Sequence, residues 1–337
     1  MSNATTTLSV EDASTLVVNA LVASKTSNEN AAAVADALVA AQMDGLSGHG
    51  LSRVPSYAAQ AASGKVDGYA KPQVIDSVGS AVRIDAAKGF AYPALALARQ
   101  EISNRIDDTG VVCTSVFNSH HFGAAGFHVE QLADDGMVAL IVGNSPKAIA
   151  PWGGDTALFG TNPIAFAAPR DGNHPVLIDL SLSKVARGKI LVAAQNNEVI
   201  PDDWALDSSG NPTTDANAAL GGTMLPMGEA KGAQLVLMVE LLAAALTGAN
   251  YGFEASSFFD AEGENPGVGQ LLIAFKPGPL SGGRYNARIE TLIESMLDQQ
   301  GVRLPGSRRA ASRDKSRKDG LVLPAALIEE INALSAA

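Results

Sequence analysis

His49 sits between two glycines in Ser47-Gly48-His49-Gly50, with Arg53 four residues on and Tyr57 four beyond that. A second glycine-studded segment, Ser119-His120-His121-Phe122-Gly123, holds two more histidines, and the 337 residues contain only five. Imidazole exchanges a proton near neutral pH, a guanidinium fork grips a carboxylate through two parallel hydrogen bonds, and a phenol donates or accepts. Together they suit the binding of a small carboxylate with transfer of a proton to or from the neighbouring carbon. A ring flanked by glycines packs poorly in a core, which favours His49 as an exposed proton donor. For Arg53 the alternative is a surface salt bridge. In an extended segment His120 and His121 point to opposite sides, and His121, which begins the glycine turn, is the one expected in the pocket. His174, in Asp171-Gly172-Asn173-His174, reads as a surface turn residue.

Elements of known type must carry these groups. Ser9-Val10-Glu11-Asp12 and Thr26-Ser27-Asn28-Glu29 each set a hydroxyl three residues before a carboxylate, the signature of a helix start. The second helix has Ala31, Val34, Leu38 and Ala41 on one stripe and is expected to end near Gly45, so the His49 segment is a loop on a rigid support. Pro72 to Asp85 reads as strand, Tyr92 to Ile106 as helix, and Val111 to Val116 as the strand that delivers the second histidine pair. Met137–Val142, Pro163–Ala168, Val176–Leu180 and Leu271–Phe275 are further buried strands, giving a sheet core between about residues 75 and 280. Ala230 to Thr247 is a helix apolar on nearly every face, hence buried against the sheet. Helices over Ala287–Gln300 and Pro324–Leu334 complete the chain and join the N-terminal helices in a separate layer.

Composition narrows the function. The 24 Lys+Arg against 35 Asp+Glu give a net charge of −11, which repels a phosphate backbone and argues against nucleic acid. The one basic run, Arg303 to Lys318, reads as a solvated linker or a local anion site. Cys113 is the only cysteine, in an apolar strand, so a reducing, cytoplasmic setting is expected. Met1 to Val10 has neither a basic nor an apolar leader segment, and the longest apolar stretch, Leu235 to Leu246, is broken by Glu240; no membrane association is expected. No H-E-x-x-H or C-x-x-C occurs, so no metal is expected.

Neither G-x-G-x-x-G after a strand nor G-x-x-x-x-G-K-[ST] is present, so a bound nicotinamide would need a fold other than the Rossmann unit. His121-Phe122-Gly123-Ala124-Ala125-Gly126 leads into a helix from Phe127 to Ala133 and offers backbone amides to a pyrophosphate; the alternative is a plain strand-to-helix turn.

Asp44-Gly45 with His49-Gly50 and Arg53, Asn118 to Gly123, Phe159-Gly160-Thr161-Asn162-Pro163, Asp179-Leu180-Ser181, Ala186-Arg187-Gly188-Lys189-Ile190 and Lys231-Gly232 occur in this order. Together they resemble the malate/L-lactate dehydrogenase family of type-2 oxidoreductases over nearly the whole chain. The resemblance implies an α/β (α+β) fold: a non-Rossmann nicotinamide-binding domain with a largely antiparallel sheet and surrounding helices, beside a helical domain. It implies residues 76–284 for the cofactor and residues 1–75 with 285–337 for dimerisation and substrate, in a homodimer with its site between domains. Members act on 2-oxo acids, on 2-hydroxy acids such as malate, ureidoglycolate and sulfolactate, or on cyclic imino acids. Pro212-Thr213-Thr214-Asp215 and Met238 to Gly248 look closest to the piperideine- and pyrroline-2-carboxylate reductases.

By resemblance His49 and His121 meet nicotinamide and substrate and Arg53 takes the substrate carboxylate; from spacing, Tyr57 lies a further turn from Arg53 as a second substrate-binding residue, and Ser47, displaced by one, is the serine left beside His49 for catalysis. The turn His121, Phe122, Gly123, Ala124 and Ala125, with Thr161, Asn162, Asp179, Leu180, Ser181 and Lys231, would contact NADP or NAD. Arg308 and Arg309 could meet a 2′-phosphate, which tilts the expectation toward NADP. Three positions depart from the family pattern: Gly48 stands where serine precedes the histidine, Lys189 where the imine reductases have Asp, and Ala230 where His precedes Lys231. A Ser-His hydrolase using Ser47 and His49 lacks the G-x-S-x-G elbow. A non-catalytic, regulatory carboxylate-binding protein on the same fold is the other alternative.

Overall fold

The computed structural model describes residues 4–335. Positions 1–3 and 336–337, which fall within the expected helical unit and the leader reading, lie outside the described residues. The chain opens with strand β1 (Thr5–Leu8) and helices α1 (Val10–Ala23), α2 (Asn28–Met43) and α3 (Val54–Ser63). The first helix start is made as expected, Ser9 Oγ accepting from Asp12 N, while the second is shifted by one: Ser27, not Thr26, is the cap, and its Oγ accepts from Asn30 N. Then follow β2 (Gln73–Val78), β3 (Ala81–Asp85), α4 (Ala91–Thr109), β4 (Val111–Ser119), α5 (Ala125–Asp134), β5 (Val138–Gly143), β6 (Ile164–Ala168) and β7 (Val176–Leu180). A smaller lobe contributes α6 (Arg187–Asn196), β8 (Ala205–Leu206), α7 (Ala216–Gly221), β9 (Thr223–Met224) and α8 (Glu229–Glu240). The last stretch is β10 (Val268–Phe275), α9 (Pro277–Ser281), α10 (Tyr285–Leu297), α11 (Ser307–Asp319), β11 (Leu321–Pro324) and α12 (Ala325–Ser335).

Seven strands form one sheet in the order β2-β3-β4-β10-β5-β6-β7, in which only β3–β4 is parallel. Strand alternation sends Val112 and Val116, with Leu272 and Ala274, to a face covered by α4 and α5. Leu271 and Val142 face the other way, against α6, α7 and α8. Ala13, Val17, Val34, Leu38, Tyr57 and Ile331 belong to a third apolar cluster, built from α1–α3, Phe90, Tyr92 and the C-terminal segment, and the β1–β11 ladder joins the two ends of the chain. That ladder is too short to have left a readable pattern.

Four sequence readings change. The basic run is helix α11, docked by side-chain hydrogen bonds, where a solvated linker was one expectation. The helix read over Ala230–Thr247 is α8 followed by a π turn at Leu241–Ala245, and Leu235, Leu237, Met238 and Leu241 are exposed. Of its apolar residues Val236, Val239 and Ala243 join the cluster against the sheet, because a straight helix presents one stripe to a flat neighbour. Helix α10 is tied to the sheet's far end by Arg170–Glu290 and by Tyr285 Oη donating to Pro169 O, away from the terminal helices. Cys113 lies in β4 as expected but is half-buried. Among the described residues no helix is long and apolar enough to cross a membrane, and no group of His, Cys, Asp and Glu is arranged to hold a metal.

Candidate active site

Helix α2 ends at Met43 with Asp44 as its C-cap, Gly45 takes φ +78°, and two single 3-10 turns, Ser47–His49 and Leu51–Arg53, lead into α3. The turns are pinned to α2: Leu51 N donates to Gln42 Oε1, and a Cβ on Gly50 would stand 2.4 Å from that oxygen, so only glycine permits the approach. Arg53 donates from Nε to Gly48 O at 2.8 Å and lies over the Phe259 ring, 4.7 Å from its centroid. Its two terminal nitrogens make no hydrogen bond among the described residues, so the fork is free for an anion. Ser47 is exposed and no hydrogen bond joins it to His49, which leaves the hydrolase reading without a nucleophile-base pair.

Strand β4 delivers the second pair. Asn118 has φ +50°, which ends the alternation of side chains, so His120 and His121 do not point apart as expected. Both rings meet Tyr57, at 5.6 and 6.1 Å between centroids, and both meet Phe258, at 5.3 and 5.1 Å. His120 is fully buried, and its Nε2 lies 2.6 Å from Gln60 Oε1. Gln60 uses its amide nitrogen on Phe258 O, so its oxygen accepts from His120 Nε2–H. His121 stacks on His49 with centroids 5.7 Å apart and rings inclined by 22°. The two histidine segments, remote in sequence, therefore share one cleft within a single chain.

Tyr57 is also fully buried, which keeps it from the position beside the substrate carboxylate expected for it. Its hydroxyl lies 2.5 Å from His121 Nδ1 and 3.0 Å from the Tyr92 hydroxyl, so it stands behind the histidine. Burial, with the Arg53 charge next, lowers His49 to about 4 and His121 well below the usual imidazole range. Burial pushes Tyr57 up to about 12 and Tyr92 well above the ordinary phenol value. Burial thus favours the uncharged form of all four groups.

Beyond His121 the turn is tight. Phe122 is buried and its carbonyl accepts from His128 Nε2 at 2.8 Å. Gly123 has φ +69°, and a Cβ there would lie 2.6 Å from the Tyr92 hydroxyl. Ala124 and Ala125 open α5, whose first-turn amides have no carbonyl one turn earlier to bond. Gly126 N donates to Asp179 Oδ2 at 3.0 Å, and Arg309 Nη1 reaches the same oxygen at 2.9 Å. Asp179 Oδ1 takes no hydrogen bond among the described residues. Leu180 and Ser181 follow at the exposed end of β7.

Thr161 N donates to Ser145 Oγ, while Asn162 is fully buried and gives its amide nitrogen to Val236 O and Glu240 Oε2, so that nitrogen supports the turn from behind. Lys231 is exposed in the first turn of α8, without a hydrogen bond or ion pair among the described residues. Beside it, a Cβ on Gly232 would lie 1.6 Å from Met227 O. An unpaired cation at the positive end of a 12-residue helix, with the N-terminus of α5 beside Gly123, fits a phosphate-bearing ligand, although at α5 Gly126 N already serves Asp179 and Phe127 N serves Ala124 O. Arg308 is exposed, and Lys189 lies exposed on α6 with no contact to either histidine.

Several site residues left little trace in the sequence. Phe258 and Phe259 come from an irregular segment, and Gln60 and Tyr92 carry no motif. Glu240 had a signal, a carboxylate interrupting an apolar stretch: it is buried, accepts from Asn144, Asn162 and Gly252 N, and is raised above the usual carboxylate range by burial.

Comparison with known proteins places this arrangement. The (2R)-3-sulfolactate dehydrogenase (NADP(+)) of Chromohalobacter salexigens is 52% identical over 326 residues, covering 97% of each chain. The Delta(1)-pyrroline-2-carboxylate/Delta(1)-piperideine-2-carboxylate reductase of Pseudomonas syringae pv. tomato is 42% identical over 312 residues, 92% of this chain and 91% of that one. The crystal structure of delta1-piperideine-2-carboxylate reductase from the same organism superposes with a TM-score of 0.93 at 40% identity, covering 98% of this chain and 99% of the other. A family model described as malate/L-lactate dehydrogenase matches residues 8–332, and the chain belongs to that family of dehydrogenases and reductases.

Proposed function

We propose that this protein catalyses reversible hydride transfer between NADP(H) and the carbon beside the carboxylate of a small 2-hydroxy or 2-oxo acid. The observation that carries it is the free Arg53 fork beside the stacked His49–His121 pair. A sulfonated 2-hydroxy acid is the first substrate to test, because the 52% identical relative is a sulfolactate dehydrogenase, and cyclic imino acids are the second, after the 42% identical reductase. NADP is favoured over NAD because that first relative is named for NADP(+) and Arg308 is exposed near the Asp179–Arg309 pair.

Bound nicotinamide supplies the hydride acceptor or donor. Arg53 orients the substrate by its carboxylate. Neutral His121 or His49 takes the hydroxyl proton in the oxidising direction and returns it in the reducing one. The bound carboxylate offsets the Arg53 charge that helps keep both imidazoles neutral, so substrate binding raises their proton affinity where the reaction uses it. Tyr57 can accept from His121 Nδ1–H while donating to Tyr92, or receive from Tyr92 while donating to Nδ1, and so follows either tautomer.

Lys231 and the Gly123–Ala125 turn would hold phosphate oxygens, Asp179 Oδ1 and Ser181 ribose hydroxyls, and Thr161 the carboxamide, with Leu180 against the ring. The cofactor unit would be residues 76–284 together with α10, which is docked beside its sheet, and the helical unit residues 1–75 with the rest of 285–337. The exposed face of Leu235 and Met238 on α8, continued by Leu241 of the π turn, is the surface we assign to a second copy in a homodimer.

The test is oxidation of NADPH and NADH with sulfopyruvate, oxaloacetate, pyruvate and piperideine- and pyrroline-2-carboxylate, with calorimetry of each coenzyme. Turnover with any of these acids or imines supports the reading. Absence of coenzyme binding would sink it, and coenzyme binding without turnover would favour the non-catalytic alternative.

A further inference from the structure

Helix α11 is the basic run that no motif explains, and its docking is unusual. None of its 13 residues is fully buried. The side chains that do turn inward, Arg309, Ser312, Arg313 and Ser316, fall at spacings of three, four and seven from the first, so one helical stripe is made of polar groups. Ser312 Oγ and Ser316 Oγ both donate to Met43 O, the last residue of α2, at 2.8 and 3.2 Å. Arg313 donates from Nε and Nη2 to the two oxygens of Asp44, at 2.8 and 3.0 Å. The same guanidinium donates from Nη1 and Nη2 to Glu130 of α5, at 3.0 and 2.6 Å. These three side chains are only 15%, 8% and 11% exposed.

Asp44 is the C-cap residue of α2, five positions before His49, and Glu130 sits on the helix that continues from the His121 turn. One guanidinium thus joins the segment bearing the first histidine to the element bearing the second, and Arg309, one turn earlier, adds Asp179 to the same strap. A planar fork with five donors in fixed directions can serve two carboxylates at once, which an ammonium cannot do with the same geometry.

We infer that Arg313 is a positioning residue for the proposed reaction: from outside the cleft it sets the His49 turn against the His121 turn. The inference rests on the proposed hydride-transfer reading for its kinetic consequence but not for its structural one. Small displacements of a reacting group are costly, so the expected loss in kcat is roughly tenfold to hundredfold for Arg313→Met, with nearly the same loss for Arg313→Lys. The coenzyme dissociation constant should stay within about twofold, since Arg313 lies outside the proposed coenzyme contacts.

The experiment measures kcat, KM and coenzyme affinity for R313M, R313K and the exposed same-helix control K315A, beside nitrogen-15 NMR of labelled histidines. The expected result is a kcat loss in both Arg313 variants, shifted His49 and His121 resonances, and an unmoved His174 resonance. Should R313M fail to fold because two carboxylates are left unpaired, the charge-free D44N/E130Q/R313M protein and the milder S312A/S316A protein carry the same measurements. Folded variants with unchanged kcat and unchanged His49 and His121 resonances overturn the inference, as does a loss of activity equal to that of K315A. If the wild-type protein itself shows no turnover, the proposed function fails while the histidine resonances still judge the strap.

Discussion

Acidification from pH 7 to pH 5 puts protons on the histidines of the unfolded chain before it puts them on those of the folded one. His128 is 7% exposed, donates from Nε2 to Phe122 O, and is lowered by burial from 6.5 to about 4. His120 has no exposed surface and is lowered by burial, with Lys65 and Arg53 adding to it, from 6.5 to about 3. A depressed folded pKa gives stability that is whole above 6.5 and is lost as pH falls toward the folded value, because the unfolded state binds the proton first. At about 1.4 kcal/mol per pH unit below 6.5, each of these two histidines costs roughly 2 kcal/mol at pH 5. Their sum of about 4 kcal/mol is a large part of a typical stability of about 5–15 kcal/mol. His121 acts in the same direction. Buried Glu240 acts oppositely, since its raised pKa lets the folded state take up a proton first. The clean measurement is therefore a difference. His128→Gln keeps an amide donor for Phe122 O but cannot titrate. Urea unfolding at pH 7, 6 and 5 should show the wild-type protein losing about 2 kcal/mol more than H128Q across the range. Parallel stability curves for the two proteins would falsify the assignment of His128 as a buried neutral imidazole.

Three further outcomes test the site. Arg53→Lys replaces a free two-pronged donor by a point charge and should raise KM for the carboxylate substrate roughly tenfold to hundredfold, by loss of about 1.5–3 kcal/mol, with coenzyme affinity unchanged; a wild-type KM would remove Arg53 from the substrate. Tyr57→Phe strips the hydroxyl from between Tyr92 and His121 Nδ1; thermal or urea unfolding should register a loss of about 1–3 kcal/mol, and steady-state kinetics a lower kcat at similar KM. Gly232→Ala puts a Cβ 1.6 Å from Met227 O, so the start of α8 must move and take Lys231 with it. Calorimetry should then read coenzyme binding at least about tenfold weaker, the size of one lost charge-assisted hydrogen bond, and an unaltered affinity would free Lys231 from the coenzyme.

How much of this was legible depends on whether the signal was local. The helix start at Ser9, the one near Thr26–Ser27 to within a residue, and the strands of the sheet announce themselves through capping hydroxyls and apolar runs, which act over a few residues. The two histidine segments stood out because imidazoles are scarce in this chain and glycines crowd them. Their meeting at 5.7 Å was not in the sequence pattern alone: it depends on Asn118 turning the chain at the end of β4 and on Gln42 holding Leu51. Tyr57 shows the limit well. Spacing put it one turn from Arg53, yet spacing could not say that α3 buries that turn against Phe90 and Tyr92. The segment of helix α11 was read from its charges as a solvated linker or a local anion site, and docking by hydrogen bonds leaves no hydrophobic period to detect.

The place of β10 bears on how this chain is made. Its partners β4 and β5 are finished by residue 143, but β10, which separates them in the sheet, ends only at Phe275. During synthesis at about 5–20 residues per second, the two inner strands wait on the order of ten seconds with hydrogen-bonding edges bare. The terminal β1–β11 ladder closes later still, when Leu321–Pro324 emerges. Any chain stopped before the β10 segment is complete would therefore present two unfilled inner edges, and the nascent polypeptide is most open to mispairing in the interval between β5 and β10.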